Sequence, residues 1–87
     1  MISVHDNTTN QQFEIRQGEH LAFLTYRVRE GKLYLLHTEV PEALGGQGMG
    51  SALVKHGVGY AQQYGYGLVP YCVFARGYLE KHPPEAP

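Results

Sequence analysis

The chain has 87 residues, 43% of them apolar, with a net charge of −1 and a single cysteine. That describes one small domain with a limited core, which self-association into a homodimer would help to stabilise, and a balance of charge that leaves no basic footprint for nucleic acid. Leu68 to Phe74, the longest apolar run, is too short to span a membrane, polar Met1 to Gln12 lacks a signal-peptide core, and a lone cysteine makes no internal disulfide, so a reducing cytoplasm is the default.

Residues 1–10 are polar and are expected to fray. Gln12 to Gln17 alternates apolar and charged residues as a short strand does. Gly18-Glu19 reads as a turn. His20 to Arg29 then carries apolar residues on both faces near its middle, which predicts a central strand. Glu30-Gly31-Lys32 signals a tight hairpin. Lys32 to Val40 follows, with Leu33, Leu35, His37 and Glu39 predicted on one face and Tyr34, Leu36, Thr38 and Val40 on the other. Pro41 ends it.

Leu44-Gly45-Gly46-Gln47-Gly48-Met49-Gly50-Ser51 separates this strand from a helical pattern over Gly50 to Tyr64. Met49, Leu53, Gly57, Tyr60, Ala61 and Tyr64 form an apolar stripe there, widened by Val54 and Val58. Gly57 and Gly59 each cost about 1 kcal/mol relative to alanine inside a helix, which close packing on the sheet would offset. Gly65 suits the helix end. Leu68 to Phe74 reads as a buried strand parallel to the earlier one, because a helix joins the two. Pro70 within it predicts poor pairing at its start. Ala75 to His82 reads as one or two helical turns before Pro83. The expected fold is α+β, an α/β sandwich-like arrangement in the order β-β-β-α-β-α. Three antiparallel strands lead into a βαβ unit.

The glycine loop carries the functional signal. Helix-opening N–H groups lack intrahelical partners, and glycines let a ligand approach the backbone. Together they form a phosphate cradle. Ser51-Ala52 replaces the Lys-Ser/Thr of a P-loop, and the G-x-G-x-x-G spacing of a dinucleotide fold is missing. Gln47 and Ser51 are the side chains able to hydrogen-bond a phosphate there. Three further residues suit proton transfer or nucleophilic attack. Glu39 is the first candidate base, or else a solvated strand end, and His37, with an ordinary pKa near 6.5, the second, or else a hydrogen-bonded sheet residue. Cys72, read as mid-strand, can act as a nucleophile when a thiolate or donate a proton as a thiol, or else is a buried free cysteine. The five histidines are scattered, so no metal is expected.

Val40 to Val54 resembles the acetyl-CoA-binding motif of the GNAT superfamily of N-acetyltransferases, Gln/Arg-x-x-Gly-x-Gly/Ala between a strand and a helix. Gly48 and Gly50 match its glycines, and Gly45 stands where Arg or Gln is usual. His37-Thr38-Glu39-Val40-Pro41, Pro70-Tyr71-Cys72 and Tyr78-Leu79-Glu80-Lys81-His82-Pro83 are similar to blocks of a very small GNAT-like subgroup. The resemblance covers nearly all of the chain after residue 12. It implies acetyl-CoA as co-substrate, with no metal, and transfer of its acetyl group to an amine on a small molecule or peptide. It implies that Gly45, Gly46, Gln47, Gly48, Met49, Gly50 and Ser51 hold the pyrophosphate. It implies that a backbone N–H near Val40 meets the thioester carbonyl, and that the two parallel strands splay to admit the pantetheine arm. It gives Pro70 the role of keeping them apart and makes Tyr78 a candidate proton donor to the CoA thiolate. The helices that larger GNATs carry between their first two strands have no counterpart here, which leaves the acceptor side open. Two other readings fit the same residues: a CoA or acyl-CoA binding module without transfer, and a small dimeric interaction domain with a tyrosine-rich surface.

Overall fold

The computed structural model describes residues 2–83. Five strands form one sheet in sequence order: β1 (His5–Asn7), β2 (Gln12–Gln17), β3 (His20–Arg29), β4 (Lys32–Glu39) and β5 (Gly67–Pro70). The first four pair antiparallel, and β5 lies parallel to β4. A short 3-10 turn (Glu42–Leu44) and the glycine loop lead into α1 (Met49–Tyr64), and α2 (Val73–Lys81) follows β5. This is the expected α+β arrangement with one strand added at the N-terminus.

That strand corrects the expectation that residues 1–10 fray. His5–Asn7 is tied down by side chains that a hydropathy reading passes over. The buried Tyr26 hydroxyl donates to the Asp6 carboxylate at 2.6 Å, and Asn7 Nδ2 donates to Glu14 Oε2 at 3.0 Å. Burial raises the Tyr26 phenol above its ordinary pKa, and the bond to Asp6 adds to that. The phenol therefore stays a donor to the carboxylate.

Glu30 and Gly31, both at positive φ, close the β3–β4 hairpin between the paired Arg29 and Lys32. Such a two-residue turn matches the twist of the flanking strands. Phe13, Ile15, Ala22, Leu24, Tyr26, Leu33 and Leu35 bury the inner face of the sheet against Met49, Leu53, Val54 and Ala61 of α1. Tyr64, predicted on that stripe, is instead 54% exposed. It belongs to a surface aromatic group with Tyr60 and Tyr66, with centroids 4.8 and 5.8 Å away. Gly57 does lie close to the sheet, since a Cβ there would sit 3.2 Å from Leu35 Cδ2, whereas Gly59 faces open space. Gly65, at φ 70°, ends the helix as expected. Among the described residues no helix is long and apolar enough to cross a membrane.

Two departures from the predicted elements shape the site. The run Leu68 to Phe74 is not one strand. β5 is fully paired from Gly67 to Pro70, so Pro70 ends the ladder instead of weakening its start, and Val73 already begins α2. Cys72 is consequently the N-cap of a helix and not a mid-strand residue. The second departure is a bulge in β4. Tyr26 pairs with Leu35 and Thr25 with His37, which leaves Leu36 as an extra residue. An extra residue reverses the alternation beyond it. His37 and Glu39 therefore do not share a face with Leu33 and Leu35. Thr38, paired with the buried Leu24, turns inward instead.

Candidate functional site

The glycine loop forms one wall of the site. Gly46 and Gly48 hold φ of 76° and 77°, and left-handed Gly48 is the N-cap of α1. A glycine cap has no side chain to satisfy the first turn. The first intrahelical bond runs from Ala52 N–H to Gly48 O, and no side chain caps the helix. The N–H groups of Met49, Gly50 and Ser51 thus have no acceptor within the helix. The first turn also contains no acidic residue to offset its dipole. Met49 buries its side chain in the core and offers only its backbone, while Gln47 lies exposed on the loop. The loop, Val40, Pro41 and Phe74 line a groove of about 370 Å³. A Cβ on Gly50 would stand 2.7 Å from the tip of the Phe74 ring, so this glycine lets α2 lean on the opening turn of α1.

The second wall is the parting of β4 and β5. The N–H groups of Tyr71 and Cys72 both donate to Leu35 O, at 2.9 and 3.0 Å, and the parallel ladder stops there. Beyond Leu35, β4 runs on to Glu39 with no strand on its β5 side among the described residues. Unpaired strand backbone of this kind can accept an extended ligand as an added strand. Cys72 stands where the two strands separate. It is 9% exposed, and its Sγ lies 3.1 Å from Thr38 Oγ1 in a hydrogen bond. Burial alone would raise this thiol. The Thr38 hydroxyl and the backbone of Ala75, Phe74 and Thr38 outweigh burial, and the thiol is held below its ordinary pKa. No cap bond of normal geometry joins Sγ to the first turn of α2. The lowering is therefore assigned chiefly to Thr38, with the helix N-terminus favouring the thiolate through its dipole.

His37 and Glu39 lie on the sheet face away from both helices. Their side chains are 63% and 60% exposed and 3.1 Å apart, Nε2 to Oε2, with Phe23 beside His37 at a ring separation of 6.2 Å. They flank the same unpaired stretch of β4 from the opposite side of the sheet. Tyr78 is further away, six residues into α2 from Cys72, roughly 9 Å along the axis at 1.5 Å per residue. It stacks near His82 with centroids 4.7 Å apart. The structure thus brings together Val40, the glycine loop and Cys72, sets Glu39 and His37 across the sheet, and leaves Tyr78 on the outer part of α2.

Two residues of the site were not anticipated. Regular alternation puts Thr38 on the face of Tyr34 and Leu36, away from Leu33 and Leu35, and only the bulge brings it to Cys72. Phe74 was read as part of a strand, and only the early start of α2 seats it over Gly50.

A model of the GCN5-related N-acetyl-transferase family matches residues 12–86. No curated protein matches the chain. Among solved structures, the chain is similar to the NMR solution structure of a GCN5-like candidate N-acetyltransferase from Staphylococcus aureus. The two share 34% identity over 92% of this chain and 79% of that one, with a TM-score of 0.72. The family match extends over β2 to β5, the glycine loop and both helices of the site, and the chain belongs to the GCN5-related N-acetyltransferase family.

Proposed function

We propose that the protein binds acetyl-CoA across the glycine loop and the parting of β4 and β5, and transfers its acetyl group to an amine. The observation that carries this reading is a juxtaposition. Uncapped N–H groups at the start of α1 lie beside a strand that loses its partner at Leu35, with a thiol at the point of divergence. The donor set fits such a ligand. An anion suits the N–H groups of Met49, Gly50 and Ser51, and an amide-bearing chain suits the unpaired backbone of β4.

Bound acetyl-CoA supplies an activated thioester carbonyl. The chain supplies a donor for the charge that develops on the carbonyl oxygen. Backbone alternation aims the N–H of Val40 the same way as that of Thr38, toward the Cys72 side. Among the described residues the Val40 N–H has no backbone partner. Cys72, with Thr38 holding its sulfur, gives a proton to the departing sulfur in this reading. Glu39, with His37 beside it, takes a proton from the incoming amine across the open sheet face in this reading. The lowered pKa of the Cys72 thiol supports a second role, accepting the acetyl group itself.

Titration with CoA tests binding, and the reading fails without saturable binding at sub-millimolar concentration. Release of free thiol from acetyl-CoA in the presence of an amine or peptide library tests transfer. A rate untouched by both Glu39→Gln and Cys72→Ala removes the two residues from the chemistry. Mass spectrometry of the protein with acetyl-CoA and no amine separates the roles of Cys72, since only the acceptor role adds an acetyl group to it. The strong exposure of Glu39 and His37 favours one alternative, a module that holds CoA without transfer. Saturable binding with no thiol release for any amine would establish that alternative.

A further inference from the structure

The sheet face away from the helices carries a groove to which acetyl transfer at the strand parting gives no role. It encloses about 290 Å³ and is lined by Arg27, Arg29, Glu30, Tyr34, Leu36 and Tyr71. We infer that this groove receives a carboxylate side chain of the acceptor, and that the acceptor is an acidic peptide carrying its amine a few residues away. The inference rests on the proposed transfer reaction and names its substrate class.

Strand register builds the groove. Tyr26, Leu33 and Leu35 bury their side chains in the core, so Arg27, Arg29 and Tyr34, at the alternate positions, face the other way. Arg27 pairs with Tyr34 across the two strands, which sets the two side chains next to each other. Both arginines are exposed, and neither is ion-paired among the described residues. Two residues along one strand face separate them by roughly 7 Å, close enough for both guanidinium forks to converge on one carboxylate. Glu30 lines the same groove, so the two arginines leave an excess of a single positive charge. That excess matches one carboxylate, whereas a nucleic acid backbone calls for a row of cations. Tyr34 and Tyr71, with ring centroids 5.6 Å apart, and exposed Leu36 supply apolar walls for the stem of the side chain and the peptide beside it.

Position links the groove to the reaction. Tyr71 immediately precedes Cys72, and both N–H groups donate to Leu35 O at the parting of β4 and β5. Glu39 and His37 lie on the same open face toward the other end of β4. Phe23, the partner of Glu39, lies four residues from Arg27 along β3, roughly 13 Å. An amine at Glu39 and a carboxylate at Arg27 are thus about four extended residues apart, which suits a peptide and not a free amino acid.

NMR titration of the isotope-labelled full chain at low salt, with Ala-Gly-Gly-Glu amide and Ala-Gly-Gly-Gln amide, provides the test. The amidated ends make the glutamate side chain the sole carboxylate. The glutamate peptide should bind roughly three- to tenfold more tightly, the size of an exposed charge-assisted contact. It should shift the amides of Tyr34, Leu36 and Tyr71, and added salt should erase the preference. Arg27→Ala combined with Arg29→Ala should bring both peptides to the same affinity, with an unchanged Tm showing that the fold is intact. With acetyl-CoA present, the glutamate peptide should also release thiol at a lower KM than the glutamine peptide. Equal affinity of the wild type for the two peptides overturns the groove assignment and leaves the CoA site standing. A preference that persists in the double variant refutes the role of the arginines. Preferential binding without thiol release removes the acceptor assignment, and loss of CoA binding in the wild type is read separately. A single-stranded oligonucleotide that displaces the peptide at lower concentration overturns the choice of a peptide.

Discussion

Replacing Thr38 with valine deletes one hydroxyl and keeps the branched shape of the side chain. The hydroxyl lies 3.1 Å from Cys72 Sγ, and burial opposes ionisation of that sulfur while Thr38 favours it. The backbone of Thr38 survives the substitution, so only the side-chain contribution is lost. A hydrogen bond of this class is worth about 0.5–1.5 kcal/mol net. At about 1.36 kcal/mol per tenfold change, that is roughly a two- to tenfold drop in the thiolate fraction at neutral pH. The rate of native-state alkylation by iodoacetamide should fall by the same factor, and its pH profile should move to higher pH. Thr38→Ser, which restores the hydroxyl, should move it back. A second readout checks the sign. The thiol is lowered in the folded chain, so its ionisation adds stability above the ordinary value of 9.0, and that addition is lost as pH falls through the folded value. Thr38→Val should therefore cost more stability in alkaline buffer than at neutral pH. Alkylation profiles that superimpose for the wild type and Thr38→Val would refute the account of this thiol.

Gly48→Ala forces an alanine to φ 77°, at a cost of roughly 1–2 kcal/mol, which thermal melting should show as a Tm drop on the order of 5–15 °C together with weaker CoA binding. Tyr26→Phe removes the donor to Asp6 and should cost about 1.5–3 kcal/mol by urea unfolding, with faster amide exchange concentrated in β1. Glu14 is held below its ordinary value of 4.5 chiefly by the Gln12 side-chain amide, against burial and with help from Asn7. Its contribution to stability is present above that value and lost as pH falls through the folded one, so exchange in β1 should accelerate first on acidification. Gly59→Ala, into open space within α1, should stabilise the fold by about 1 kcal/mol, whereas Gly57→Ala should gain less or lose, because its Cβ would meet Leu35 at 3.2 Å.

What the sequence disclosed follows from which interactions are local. β2 and β3 match their predicted bounds, because period-two alternation and two-residue turns are written into neighbouring residues. α1 and its glycine cap were legible for the same reason. β1 was not, because its stability comes from Tyr26 and Glu14, which are distant in sequence and add no apolar pattern to residues 5–7. The boundary at Pro70 was misplaced because an apolar run does not distinguish a buried strand from the buried start of a helix.

The bulge at Leu36 matters most for chemistry, and no local signal marked it. Without the bulge, alternation from Leu33 and Leu35 along this same sequence would carry His37 and Glu39 under the helices and leave Thr38 outside. With it, the polar pair faces the open sheet surface, and the hydroxyl faces the thiol. One inserted residue thus divides the candidate groups between the two sides of β4. In the proposed reaction the acid and acyl-handling candidate, Cys72, lies on the helix side, and the candidate bases, Glu39 and His37, lie on the open side. Deleting Leu36 removes the bulge but keeps Leu35 opposite Tyr26 and His37 opposite Thr25, so Thr38 should still face Cys72 and the alkylation profile of the thiol should match that of the wild type; a profile displaced as in Thr38→Val would refute this reading of the bulge.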